Sequence, residues 1–262
     1  MENESRRKFF NQCLLGAGGL LVSNFTTENR DEKMTNPQKQ RPKVIFFDVN
    51  ETLLDLAPLK ENVAKLLNNK KDLVALWFTT MLHYSLVSTV GDQYRDFGEI
   101  GIATLQMVAR NHDISITEAR IKDVLVGIRS LPAHAEVPEA LQKLKDAGYT
   151  LATLTNSSNA AVEDQMKNSG LKKYFDQLLS IEDVGVYKPH KQTYQWAARK
   201  MGVRLDEGML VAAHGWDVAG AKWAGMSTAF IDRPGQQLYP HADQPDIIAP
   251  TLTGISNAII HG

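Results

Sequence analysis

A strand-then-helix alternation runs through the second half of this chain and leaves few folds open to it. "VPEALQKLKDAG" reads as a helix stopped at Gly148, "YTLATLT" as a strand, "NAAVEDQMKNSG" as a helix ending at Gly170, and "FDQLLS" as a short strand. The helix "KQTYQWAARKMG", the strand "GMLVAAH", a helix over "DVAGAKWAG" and the strand "MSTAFI" continue the series. Repeated units of this kind ask for a mainly parallel sheet covered by helices, because parallel neighbours need a long crossover and a helix supplies it. One more strand lies upstream. Val44, Ile45, Phe46 and Phe47 form an unbroken apolar run, the pattern of a strand covered on both faces, with Pro42 before it and the polar Asn50 and Glu51 after it. Asp48 therefore stands where a buried strand opens into a loop, and in open α/β sheets ligands bind at that carboxyl edge. On the residues alone it is a nucleophile, a metal ligand or the polar end of a strand. Thr155, Lys188 and Asp217 also fall just past strands or in the turns that follow them, so one rim is the expected meeting place for all four.

Between the first strand and the alternating half, residues 59–68 and 72–90 read as helices. "GEIGIATLQMVARNH" and "TEARIKDVLVGI" continue the helical period, with Thr117 as an N-cap and Glu118 in the first turn. No strand pattern interrupts residues 58–130. The economical arrangement is an α/β core made of residues 43–55 and 136–262, with a helical cap of residues 56–135 inserted after its first strand.

The 262 residues are 43% hydrophobic and 23% charged, an ordinary globular balance with enough apolar material for a core. With 29 basic and 30 acidic residues, nothing marks a nucleic-acid surface. Cys13 is the single cysteine, so no intrachain disulfide forms, and the redox compartment stays open. "SRRKFF" followed by "NQCLLGAGGLLV" resembles a twin-arginine export leader over residues 1–25: paired arginines, an aromatic pair, then an apolar stretch too short to span a bilayer. Residues 26–42 have the polar composition of a flexible linker. No later segment carries ~20 uninterrupted apolar residues, so the body is expected to be soluble. The expected location is the periplasm or another exported compartment, with the cytoplasm as the alternative.

Four segments, "FFDVNETLLD", "TLTNSS", "YKPHKQTY" and "VAAHGWDVAGAKWAG", resemble the four motifs of the haloacid dehalogenase superfamily, in the family's order. Their arrangement is most similar to the type II 2-haloacid dehalogenases. The resemblance covers residues 43–248 and implies a Rossmann-like core with a helical cap. It implies that Asp48 is a nucleophile: its carboxylate displaces the leaving group from carbon, and water hydrolyses the aspartyl ester that results. Thr52 would orient that carboxylate. Lys188 would stabilise its charge and hold Asp217, which in turn would position or activate the water, and Tyr194 would support the same polar network. Thr155 and Asn156 would position a substrate carboxylate and receive a halide, and Trp216 would wall the cavity. No cofactor and no metal are expected. Partners would be a small-molecule substrate and water, with the twin-arginine export machinery and a second copy of the chain as further candidates.

Departures from the family refine this picture. Superfamily phosphatases carry an aspartate two residues past the nucleophile and another in the fourth motif, where this chain has Asn50 and Ala213. Without those carboxylates a Mg²⁺-dependent phosphoryl site is poorly supported. Type II dehalogenases have an arginine in the first cap helix, in a pattern like "WRxxxLxY". Here the segment is "WFTTMLHY", and Phe78 replaces a five-donor cation with an aromatic face. His214 stands where the family has asparagine, and is expected either to donate to Asp217 or shuttle a hydrolytic proton, or to be a hydrogen-bonded core histidine. The expected activity is hydrolytic dehalogenation of short 2-haloacids to 2-hydroxyacids. The alternatives are a metal-independent hydrolase of another small substrate and a noncatalytic binding protein on the same scaffold.

Overall fold

The computed structural model describes residues 41–262, so the expected leader and nearly all of the linker lie outside the described residues. The first strand, β1 (Val44–Phe47), is followed by four helices: α1 (Ala57–Leu66), α2 (Lys71–Val90), α3 (Phe97–Asn111) and α4 (Glu118–Leu125). The alternation then returns with α5 (Val137–Asp146), β2 (Thr150–Thr155), α6 (Asn159–Asn168), β3 (Gln177–Ser180), α7 (Lys191–Lys200), β4 (Gly208–Ala212), α8 (Gly215–Ala224) and β5 (Ser227–Ile231). A last pair, β6 (Ile247–Ala249) and α9 (Leu252–His261), was not expected from the sequence.

All neighbouring strands pair in parallel, in the order β3-β2-β1-β4-β5-β6. The apolar run of β1 is explained by this order: it is a central strand with helices over both faces, and Ile45, Phe46 and Phe47 have no solvent exposure. Because every strand points the same way, the segments after β1, β2 and β4 emerge on one rim. The order reverses between β1 and β4, and the crevice at such a reversal is where α/β sheets bind ligands.

The helices after β1 pack on one another. Asp96 caps α3 by accepting from the N–H groups of Gly98 and Glu99, and Thr117 caps α4 by accepting from that of Arg120. Among the described residues α2 is long and apolar enough to cross a bilayer, which makes it more hydrophobic than the sequence reading allowed. Its Leu73, Val74, Trp77 and Met81 are buried, and the Trp77 indole donates to Gly101 O of α3 at 2.9 Å, as in a packed core helix. Its Leu86, Val87 and Val90 stay exposed.

Candidate active site

Asp48 follows β1 directly, and its carboxylate is held on both oxygens. Lys188 Nζ donates to Oδ1 at 3.0 Å, while the Thr52 hydroxyl at 2.7 Å and His214 Nδ1 at 3.1 Å lie on Oδ2. Thr52 is itself fixed, because its Oγ1 accepts from the Ala213 N–H at 2.9 Å. Ala213, where a phosphatase would have a carboxylate, thus contributes through its backbone. Burial pushes the Asp48 carboxyl up, but the charges of Lys188 and His214 and the hydrogen bonds of His214 and Thr52 outweigh it. The group is held well below the ordinary carboxylate range, so it is charged and aimed.

Lys188 is fully buried and bridges two acids, with Asp217 Oδ2 at 2.5 Å from the same ammonium. Burial opposes its charge, but Asp217 and Asp48 together raise its proton affinity above that of a free lysine. The other Asp217 oxygen accepts from Tyr194 OH at 2.6 Å, and burial pushes that phenol well above its usual range. Burial and the like charge of Asp48 push Asp217 up, against the pull of the Lys188 charge and the hydrogen bonds of Lys188 and Tyr194. Both oxygens of Asp217 are therefore committed, and it has no solvent exposure.

His214 corrects one expectation. It does not donate to Asp217; its Nε2 lies 3.0 Å from Glu51 Oε2, and its ring spans Asp48 and Glu51. Burial disfavours its charge, but the hydrogen bonds and charges of the two carboxylates prevail and raise it from 6.5 to about 9. His214 is therefore an imidazolium at neutral pH. The ring stacks near-parallel to Trp216 and to Phe78, with centroids at 5.2 and 6.4 Å and planes within 24°. Glu51 was missed by the sequence reading. It has a left-handed backbone (φ 61°) and is also held by Lys60 and by Gln236 Nε2 at 3.2 Å.

A cavity of about 870 Å³ opens between the inserted helices and the sheet rim. Leu56, Leu59, Trp77, Phe78, Met81 and Phe97 supply its apolar wall, while Asn50, Glu51, Ser157, Ser158, His214 and Trp216 line its polar end. Trp216 and Phe78 both line the cavity. Thr155 and Asn156 are not among the residues that line it, and neither are Asp48 and Lys188 beneath it. Thr155 Oγ1 accepts from the Ser157 N–H at 3.1 Å, and Asn156 Oδ1 accepts from the Lys188 N–H at 3.1 Å, so both brace the loop that presents Ser157 and Ser158. Asn50 is likewise tied, donating to Ser157 Oγ at 3.2 Å and accepting from Gln165 at 3.0 Å. Among the described residues no group of three or more His, Cys, Asp or Glu is placed to hold a metal ion.

A charged carboxylate at the carboxyl edge of a central parallel strand, clamped by a buried lysine beneath a helical insertion, defines a hydrolase that works through a strand-end acid. The comparisons narrow the class. The haloacid dehalogenase-like hydrolase model matches residues 42–225. The chain is 31% identical over 194 residues to (S)-2-haloacid dehalogenase 4A of Burkholderia cepacia, covering 74% of this chain and 84% of that one. It is 29% identical over 215 residues to (S)-2-haloacid dehalogenase of Pseudomonas sp. (strain YL), covering 81% and 92%. In fold it is similar to L-2-haloacid dehalogenase from Xanthobacter autotrophicus, with TM-score 0.78 and 22% identity over 84% of this chain and 99% of that one. The chain belongs to the haloacid dehalogenase-like hydrolases.

Proposed function

We propose that this protein hydrolyses short 2-haloacids, with Asp48 displacing halide and forming an aspartyl ester that water then opens. The observation that carries this reading is the Asp48 carboxylate itself: ionised, buried, and fixed by Thr52, Lys188 and His214 at the end of β1. An anionic oxygen aimed by fixed donors suits attack on carbon. Asn50 and Ala213 leave out the two carboxylates that phosphoryl transfer with Mg²⁺ would need. The relatives whose names specify (S)-2-haloacids support the substrate class.

Within this reading, Ser158 and Ser157 at the start of α6 receive the substrate carboxylate. Ser158 lines the cavity and its hydroxyl makes no capping hydrogen bond to the helix. The Asn156 amide, fixed through its oxygen by Lys188 N–H, helps receive the halide. Displacement inverts the carbon, so an (S)-2-haloacid gives an (R)-2-hydroxyacid. In ¹⁸O-water a single turnover is expected to place the heavy oxygen in Asp48 rather than in the product, and chelation is expected to leave the rate unchanged. Asp48→Asn is expected to abolish turnover with the fold retained. Label appearing directly in the hydroxyacid would remove the covalent mechanism. No halide from chloro-, bromo- or fluoroacids would remove the substrate class.

The same proposal assigns residues 43–55 and 136–262 to the catalytic core and residues 56–135 to the cap. It also reads Arg6 and Arg7 as the signal for export of the folded enzyme. Replacing both by lysine is expected to shift the protein to the cytoplasmic fraction, and an unchanged distribution would end the export reading.

A further inference from the structure

Asp217, the acid the family resemblance would give to the water, is poorly placed for that work. Its two oxygens are occupied by Lys188 and Tyr194 at 2.5 and 2.6 Å, and it has no solvent exposure. Two other titratable groups line the polar end of the cavity, Glu51 and His214. They touch each other at 3.0 Å through Nε2, while Nδ1 of the same ring lies 3.1 Å from the Asp48 carboxylate. Trp216 and Phe78 both lie near-parallel to the ring, with centroids at 5.2 and 6.4 Å, which restrains the tilt of the imidazole.

From this arrangement we infer that His214, oriented by Glu51, is the general base for hydrolysis of the Asp48 ester, with Asp217 serving to hold Lys188 in place. The inference rests on the dehalogenase reading and adds to it a base and a positioning carboxylate. A carboxylate on Nε2–H selects the tautomer that leaves the Nδ1 lone pair beside the Asp48 acyl group, 3.1 Å from its Oδ2, the logic of an acid–histidine pair acting on a bound ester. Lys60 holds Glu51 Oε1 and Gln236 donates to Oε2, the oxygen that His214 also meets, so Glu51 is a positioning residue and His214 the group that takes the proton of the water.

The proton count closes. Attack by Asp48 forms the C–O bond and breaks the carbon–halogen bond, and halide leaves with the electron pair. The new ester carries no charge, so His214 loses one of the two anions that stabilised its proton and releases that proton to solvent. Water then adds to the acyl carbon of Asp48 as Nδ1 takes a proton from it. Collapse of the tetrahedral intermediate expels the hydroxyacid oxygen, which takes that proton from His214. The regenerated carboxylic acid of Asp48 gives its proton to His214 and restores the resting ion pair. The balance is haloacid and water to hydroxyacid, halide and one proton.

Mixing full-length enzyme with excess (S)-2-chloropropionate, and following halide, lactate and intact protein mass together, tests the assignment. In wild type halide and lactate should rise in parallel. In His214→Asn, a burst of about one halide per enzyme should accompany a stable mass increase localised to Asp48, with lactate formation slowed roughly 100-fold or more. Glu51→Gln should slow lactate less and move the acid limb of the hydrolytic step to lower pH, because an imidazole without that anion deprotonates more readily. Circular dichroism checks the fold. Should His214→Asn fail to fold, His214→Gln and the Glu51→Gln pH limb carry the test. Slow turnover without ester, or an unshifted limb in Glu51→Gln, overturns the assignment. Ester accumulating only in Asp217→Asn does so too. No halide from wild type would instead remove the dehalogenase reading on which the assignment stands.

Discussion

An imidazolium between two carboxylates makes the site's charge depend on pH where neither lysine nor ordinary carboxylates titrate. With His214 protonated, the carboxylates of Asp48, Glu51 and Asp217 face the cations of Lys188, Lys60 and His214, which suits a desolvated site. The sign of the linkage follows from the direction of the shift: the folded protein holds the His214 proton up to about pH 9, against 6.5 for a free histidine. Its contribution to stability is fully present below about pH 6.5 and is lost as pH rises through about 9, a difference on the order of 3 kcal/mol. Chemical denaturation at pH 6 and pH 9.5 should therefore show wild type losing its advantage over His214→Asn at the higher pH, and a constant gap would contradict the imidazolium. At this scale the sequence was informative where a motif carried the residue. Asp48, Thr52, Lys188, Tyr194 and Asp217 meet, as the resemblance of their motifs implied. Glu51 was not legible, because its place beside His214, 163 residues away in the chain, depends on a left-handed turn at its own backbone. Nor could a string of letters tell that Thr155 and Asn156 brace a loop while the serines beside them face the cavity.

Packing between elements sets how rigidly the lysine is held, and one glycine controls it. Gly220 lies in α8 where a Cβ would sit against Pro189, 2.8 Å from the Tyr194 hydroxyl and 3.0 Å from the Pro189 carbonyl oxygen. That close approach lets α8 seat Asp217 under Lys188 and Tyr194. For Gly220→Ala two terms oppose each other: helix propensity gains about 1 kcal/mol, while overpacking costs about 1–3 kcal/mol. The net is a loss of up to about 2 kcal/mol, so the melting temperature should fall by up to roughly 8 °C, and the displaced Pro189 and Tyr194 carry Lys188 out of line, so kcat should fall roughly 10- to 100-fold. Unchanged turnover in a folded Gly220→Ala would show that this contact does not position the lysine. The elements themselves were largely readable. Apolar runs of strand length, and glycines that close helices at positive φ such as Gly148 and Gly170, mark the alternation through β5. β6 and α9 escaped because β6 has three residues, only partly buried, at the sheet edge, and its companion helix is recognised mainly by docking, with Tyr149 OH donating to Ile259 O at 2.9 Å.

Taken whole, the molecule sets a polar reaction centre at the end of a parallel sheet and closes it with helices whose inner surface is mostly apolar, with Lys71, Glu99 and Lys122 among the charged groups that also line the space. The parallel sheet, and the run of helices after its first strand, followed from the alternation of segments; the order of the strands and the space enclosed did not, since a cavity is the volume that side chains from distant elements fail to fill. That volume, about 870 Å³, lies toward the upper end for small-molecule sites and far exceeds a three-carbon acid. Its wall of Leu56, Leu59, Trp77, Phe78, Met81 and Phe97 offers a 2-haloacid nothing polar beyond the carboxylate and halogen, but it can receive a hydrocarbon chain on the reacting carbon. Phe78 contributes most directly, because an arginine there would bring a charge into the chain's path. Each methylene buried is worth about 0.8 kcal/mol, close to a fourfold gain, and the gain appears in kcat/KM when the transition state keeps the contact. Along the series from 2-chloropropionate through 2-chlorobutyrate to 2-chlorohexanoate, kcat/KM should rise roughly two- to fourfold per carbon before it levels off as the cavity fills. Phe78→Arg should flatten that slope, since a guanidinium beside the chain must stay solvated. A kcat/KM that falls at the first added carbon, with halide still released from 2-chloropropionate, would mean that the inserted helices close further onto the rim during turnover and that the working site is smaller than the space seen here.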